Sequence, residues 1–325
     1  MDAGNSVKHT QLYGPVPSRR LGRSLGVDVV PYKVCSYDCI YCQLGRTTKL
    51  TSVPETLVGA AEVVREVEHW LGHGGGADYI TFAGSGEPTL NAELGEMIRA
   101  TSKLTDIPLA VITNGSLLSE PDVREAVSAA DVLVPSLDAG TATTFQKINR
   151  PAPGVDFIGM REGLVQTAQE FPNQIWLEVM LVADVNDSET ELVAIREIVR
   201  RICPDKLQIN TVDRPSHSGD ARPVSEEKLS EACLILGHNA EVIAGGMVTQ
   251  AENRQWQQIE DELVRLLSRR PCTVRDIVSV SGLNHLEVEK YLRSLVQNKL
   301  IEQTGDADPY YRVTTGGKNG GCSDN

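Results

Sequence analysis

Three cysteines, Cys35, Cys39 and Cys42, fall within eight residues of the stretch KVCSYDCIYCQLGRTTK, Lys33 to Lys49, and no further Cys or His lies within twenty residues on either side. A structural zinc is closed by four ligands, commonly in two spaced pairs, so zinc here needs a distant fourth ligand. A disulfide between two of the thiols strands the third. An iron-sulfur cluster fits the spacing better. Each iron of a four-iron cluster usually takes one thiolate, so three cysteines leave one iron open to a small ligand that chelates through an amine and a carboxylate. Glu87, on the turn GSGEP, is a candidate clamp for such an amine, and Gly84 and Gly86 allow the backbone to come close.

The elements that must hold these residues follow from periodicity. Short apolar, β-branched runs at Ser24 to Val30, Tyr79 to Gly84, Leu109 to Asn114, Asp131 to Asp138, Ile175 to Val182 and Lys206 to Thr211 predict six strands. Amphipathic stretches at Pro54 to Gly72, Ser119 to Ala130 and Asp187 to Ile202 predict helices between them. Alternation of this kind implies right-handed crossovers and a parallel sheet, and six repeats favour a partial (β/α)6 TIM-like barrel over an open sheet. Function collects at the C-terminal ends of such strands. The cysteine loop, GSGEP, Thr113 to Ser116, Ser136 to Gly140, and Asn210 with Arg214 all fall there.

After Gly246 the pattern changes to helix, helix, Gly-containing turn, helix and hairpin, which predicts a winged helix. The expected organisation is a core domain over 1–248, a winged helix over 254–315 and a flexible tail over 316–325. The chain of 325 residues is 41% hydrophobic, with no signal-like N-terminal run and no long apolar stretch, so a cytoplasmic protein without membrane contact is expected. Seven cysteines, four of them scattered, do not make a disulfide framework.

A formal charge of −13 argues against non-specific coating of nucleic acid. Lys8 to Lys49 nevertheless carries seven basic residues against two acidic ones. Arg19, Arg20 and Arg23 in this segment, with Arg150 and Arg214, are candidate binders of a phosphate or carboxylate, and a salt-bridged role is the alternative for each. Glu178 in the fifth strand could face the barrel interior as a contact or an ion-pair partner. The would-be recognition helix carries Glu287 and Glu289, which suits docking of a protein or peptide, or a lid, at least as well as duplex reading.

Together these residues resemble the radical S-adenosylmethionine (SAM) family. Cys35, Cys39, the aromatic Tyr41 and Cys42 match its C-x-x-x-C-x-Φ-C motif, and GSGEP is similar to its amino-group-binding Gly-Gly-Glu motif. The resemblance implies that the three cysteines hold a [4Fe-4S] cluster, that Tyr41 lies near the SAM adenine, and that Gly84, Gly86 and Glu87 receive the methionyl amine. It also implies cofactor contacts from Asn114, Ser136, Asp138 and Asn210. The segment GPVPSRRLGRSLGVD with CQLG resembles the iron-sulfur oxidoreductase branch related to wyosine-forming tRNA enzymes, although no cysteine precedes Cys35 to hold a second cluster. The activity implied is reductive cleavage of SAM to a 5′-deoxyadenosyl radical, fed by an electron donor such as flavodoxin or ferredoxin. The substrate classes left open are RNA, a peptide and an anionic small molecule. An iron or redox sensor with winged-helix output is the rival reading, and it has no use for GSGEP.

Overall fold

The computed structural model describes residues 11–212, 221–237, 239–243 and 259–314, apart from 261, 269, 282, 284, 298 and 306–308. The chain divides into two compact units, Met1–Gly246 and Met247–Asn325. In the first, the strands are β1 (Leu12–Ser18), β2 (Gly22–Asp28), the short β3 (Val34–Cys35) and β4 (Lys49–Leu50), then β5 (Tyr79–Ala83), β6 (Leu109–Thr113), β7 (Val132–Pro135), β8 (Gln174–Leu181), β9 (Lys206–Thr211) and β10 (Ala240–Val242). The helices are α1 (Ala60–Gly72), α2 (Leu94–Thr101), α3 (Pro121–Val127), α4 (Ala142–Ile148), α5 (Phe157–Glu170), α6 (Glu189–Ile202) and α7 (Glu226–Leu236).

All six predicted strands are present in one sheet, flanked by two that periodicity did not predict. The order is β1-β2-β5-β6-β7-β8-β9-β10, parallel throughout except that β1 runs antiparallel to β2. The sequence of β1, LYGPVPS, contains two prolines and a glycine and so reads as loop; a sheet edge tolerates proline because one side of the strand needs no donors. β10 is only three residues long.

The sheet is curled. Leu21, in the turn between β1 and β2, packs on Ala110, Val132, Val134 and Trp176 of β6, β7 and β8, which a flat sheet would hold out of its reach. Arg19 Nη1, from the same turn, donates to the carbonyl of Ile243 just after β10 at 3.2 Å. The result is a partial TIM-like barrel whose outer face buries a second, larger core under the helices.

Local chemistry sets most helix starts. Asp156 accepts from Gly159 N at 2.8 Å to open α5, and Ser188 accepts from Glu191 N at 3.3 Å to open α6. α1 begins later than the predicted Pro54, because Glu55 is drawn into a bridge with Asn91 and the first free N–H, that of Ala60, is taken by the Glu93 carboxylate at 2.7 Å. No side chain adjacent in sequence caps it.

The second unit has its own core, including Leu263, Leu267, Ile277, Val288, Leu292 and Leu295. Residues 262–268 are helical, helices follow at Val274–Ser281 and His285–Gln297, and β11 (Ile301–Thr304) pairs antiparallel with β12 (Tyr310–Val313). The expected tail 316–325 lies outside the described residues. Among the described residues no helix is long and apolar enough to cross a membrane.

Candidate functional site

The cysteine loop leaves the C-terminal end of β2 and is pinned by the end of α4. Asp38 N donates to the carbonyl of Asn149 at 3.0 Å, Ile40 N to that of Ile148 at 2.9 Å, and Ala152 N to that of Ser36 at 2.8 Å. Tyr37 sits edge-on to Phe145 with ring centroids 5.5 Å apart. Thr47 N donates to Asp38 Oδ1 at 2.7 Å and closes the loop from its other side.

Each of the three sulfurs is offered an N–H donor. Lys33 Nζ donates to Cys42 Sγ at 3.1 Å, Asn114 Nδ2 to Cys35 Sγ at 3.6 Å, and Asn149 Nδ2 to Cys39 Sγ at 3.5 Å. Donors aimed at sulfur are what thiolate ligands of a cluster require, so the residues present fit a [4Fe-4S] group. Among the described residues no three ligand-type side chains gather tightly enough for a single metal ion; in a cluster each sulfur meets a different iron and wider spacing is needed.

Burial, followed by the nearby Glu87 charge, pushes the Cys35 thiol up to about 12. Burial and then Asp138 push Cys39 up as well. Both are therefore protonated at neutral pH in the metal-free chain. Because the folded value of Cys35 lies above the ordinary 9, its contribution to stability is complete below pH 9 and is lost as the pH rises toward 12. Cluster loading must expel these protons. Anaerobic cluster uptake is therefore expected to quicken as the pH is raised from about 7 to about 9, followed by the rise of cluster absorbance, and uptake independent of pH over this range would count against ligation by Cys35 and Cys39.

The GSGEP turn lies beside the loop. Gly84 has a φ of +141°, and a Cβ there would sit 2.3 Å from Asp28 Oδ1; a Cβ on Gly86 would sit 1.9 Å from the carbonyl oxygen of Val34. Glycine at both positions lets the turn close against β2 and β3. Ser85 N and Oγ both donate to the Asp28 carboxylate. Glu87 is buried. Its Oε1 accepts from Thr89 N at 3.1 Å and from Thr89 Oγ1 and Thr113 Oγ1 at 2.6 Å each, while Oε2 accepts from Asn114 N at 2.7 Å. Burial raises its pKa and these four donors oppose the rise. Oε2 keeps capacity for one more donor.

A second carboxylate forms a neighbouring group. Asp138 Oδ2 accepts from Tyr41 OH at 2.5 Å and Asn149 Nδ2 at 2.9 Å, and Oδ1 accepts from Met180 N at 3.0 Å. Burial pushes its pKa up to about 6 against those hydrogen bonds. Asn149 thus ties Asp138 and Tyr41 to Cys39, and Asn114 ties Glu87 to Cys35. Ser136 is bridged to Glu178 through the backbone at the end of β7.

Asn210 belongs to a third group inside the barrel. Its Nδ2 donates to Glu178 Oε1 at 3.1 Å, and Arg20 grips the same carboxylate with both terminal nitrogens, at 3.0 and 2.7 Å. Glu178 is therefore an interior ion-pair partner and Arg20 is committed to it. Arg19 is engaged at Ile243. Arg23 lies at the start of β2, with Nη2 on the carbonyl of Gly76 at 3.2 Å; five residues of strand, roughly 16 Å, separate it from the Asp28 end where the cysteine loop begins. The exposed Arg150 stands at the loop, its carbonyl accepting from Asp38 N at 3.2 Å. Arg214 lies outside the described residues. Sequence reasoning missed Lys33 and Asn149 as neighbours of the sulfurs, and no spacing signal marks either.

A half-barrel of parallel strands with a three-cysteine loop after its first parallel strand defines a class, and the comparisons agree. The family model of the radical SAM superfamily matches residues 29–194, half of the chain, and the chain belongs to that superfamily. Its cofactors are a [4Fe-4S] cluster and SAM. More particularly, the chain is 32% identical over 293 residues to a UPF0026 protein of Helicobacter pylori, covering 89% of this chain and 93% of that protein. It is 36% identical over 301 residues to a protein named GTPase Obg from Brachyspira hyodysenteriae, covering 92% of this chain but spanning only 44% of that protein. Streptococcus suis SuiB bound to precursor peptide SuiA shares the fold, with a TM-score of 0.52 at 13% identity over 71% of this chain and 51% of SuiB.

Proposed function

We propose that Cys35, Cys39 and Cys42 hold the [4Fe-4S] cluster and that the chain is a radical SAM enzyme acting on a substrate bound at the C-terminal rim of the barrel. The observation that carries this reading is the convergence at one rim of three sulfurs, each with its own N–H donor, beside a buried carboxylate with a free acceptor site. Held by Cys35, Cys39 and Cys42, the cluster would supply one-electron reduction of SAM, with the electron coming from a donor such as flavodoxin or ferredoxin.

The chain's own residues do the rest. Glu87 Oε2 receives the methionyl amine, Asn114 orients both Glu87 and Cys35, and Tyr41, locked by Asp138, walls the adenosine side. Ser136, bridged to Glu178, and Asn210, which donates to it, are read as further cofactor contacts. Arg150, exposed beside the loop, is read as a contact for the substrate, whether an RNA, a peptide or an anionic small molecule. The second unit, with its helical residues 262–268, two further helices and a hairpin, is read as a winged helix that docks such a partner.

Anaerobically reconstituted protein given dithionite and SAM is expected to release 5′-deoxyadenosine and methionine in equal amounts, measured by chromatography. Loaded protein that never cleaves SAM would sink the reading.

A further inference from the structure

Lys33 is buried at 2% exposure, two residues before the first cysteine. Its φ is +58°, in the left-handed region that a side-chain-bearing residue enters only when its surroundings insist. Those surroundings are visible. Lys33 N donates to the carbonyl of Ser85 at 2.8 Å, inside GSGEP, and its own carbonyl accepts from Thr48 N at 3.0 Å and Lys49 N at 3.3 Å. The backbone is thus clamped from two sides, and the side chain is delivered to Cys42 Sγ at 3.1 Å. Among the described residues no carboxylate pairs with Nζ.

If the turn needed only the backbone shape, glycine would supply it at lower cost. What lysine adds is a cation, and a buried cation without a carboxylate is expensive unless something negative stands beside it. Three thiolates on a cluster supply that negative charge. We infer that Lys33 is a positioning residue that sets the reduction potential of the cluster: its ammonium, held against the Cys42 sulfur, favours the reduced state, which carries one more negative charge than the oxidised one. Net charge and hydrogen bonds to the sulfurs are the levers by which proteins tune such clusters. Asn114 and Asn149 offer neutral donors to the other two sulfurs; Lys33 alone of the three brings a charge.

The inference rests on the cluster assignment made above, and the test separates the two. The full-length chain is reconstituted and titrated potentiometrically without SAM, with dithionite as electron source and the reduced cluster read by electron paramagnetic resonance. Lys33→Met, which keeps the stem and removes the charge, is expected to retain about four iron per chain. At a fixed potential its ratio of reduced to oxidised cluster should fall at least tenfold, a midpoint about 59 mV more negative for one electron. Lys33→Arg should stay within threefold of wild type. An unchanged midpoint in a fully loaded Lys33→Met variant overturns the inference. If Lys33→Met does not load, Lys33→Gln is read in the same way, and loss of the cluster in both variants assigns Lys33 to cluster assembly and overturns its tuning role. A wild-type chain that takes up no iron sinks the cluster assignment, and the role of Lys33 with it.

Discussion

Replacing Cys39 by alanine is expected to remove SAM cleavage altogether and most of the bound iron with it. Cys39 sits in a connected hydrogen-bonded setting: Asn149 Nδ2 reaches its sulfur at 3.5 Å and fixes Asp138 with the same amide, while Asp138 fixes Tyr41. Loss of the sulfur leaves one iron without its protein ligand and leaves the Asn149 amide with one partner fewer. Among the described residues of the first unit no other cysteine stands at the loop, since Cys203 ends α6 and Cys233 lies in α7. Release of 5′-deoxyadenosine should fall by at least about three orders of magnitude, to the level of the metal-free chain, as expected when a ligand needed for the chemistry is lost. Unfolding of the metal-free variant should match that of the metal-free wild type, because the thiol is small and the loop is pinned by backbone bonds to Asn149, Ile148 and Ser36. Iron near the wild-type level in this variant would show that Cys39 is not a ligand.

The second large effect is on stability and falls away from the cluster. Arg20 and Glu178 make a bidentate pair whose side chains keep 17% and 9% of their exposure. Arg20→Ala leaves the Glu178 carboxylate facing the barrel interior with Asn210 as its remaining side-chain donor. Breaking a pair so enclosed costs about 3 kcal/mol, which for a unit of this size lowers the midpoint of thermal unfolding by about 8 °C. Removing both charges together, Arg20→Met with Glu178→Met, should recover most of the loss, because the penalty comes from the uncompensated charge and not from the absent bond. A single Arg20→Ala variant as stable as wild type would mean that water already solvates Glu178 and that the arginine is free for another use.

These two expectations differ in where they could be foreseen. The cysteine spacing and GSGEP state their chemistry in a few adjacent residues, and both lie where strand periodicity places the active rim of an α/β barrel. The six central strands are equally local: each is a short, largely apolar run that a parallel sheet covered on both faces buries almost throughout, as in β5 and β7. β1 was hidden because its prolines are tolerable only at a sheet edge, and the sequence does not say which strand lies at the edge. The basic segment around Arg19 to Arg23 looked like one patch near the cysteines. Antiparallel pairing of β1 with β2 turns it away, so that Arg23 faces the far end of the strand while Arg20 enters the interior.

By itself, then, the sequence determined the three-cysteine spacing, the GSGEP turn and the alternating strands and helices, since each depends on neighbours a few residues apart. Only the tertiary structure decided what surrounds the sulfurs and what fills the barrel. Asn149 meets Cys39 across 110 positions and Arg20 meets Glu178 across 158. Lys33 is close to Cys42 in sequence, yet it reaches that sulfur only because Ser85, Thr48 and Lys49 hold its backbone at positive φ. Contacts of this kind are fixed by hydrogen bonds between segments that meet only after the sheet has curled, and no local spacing records them.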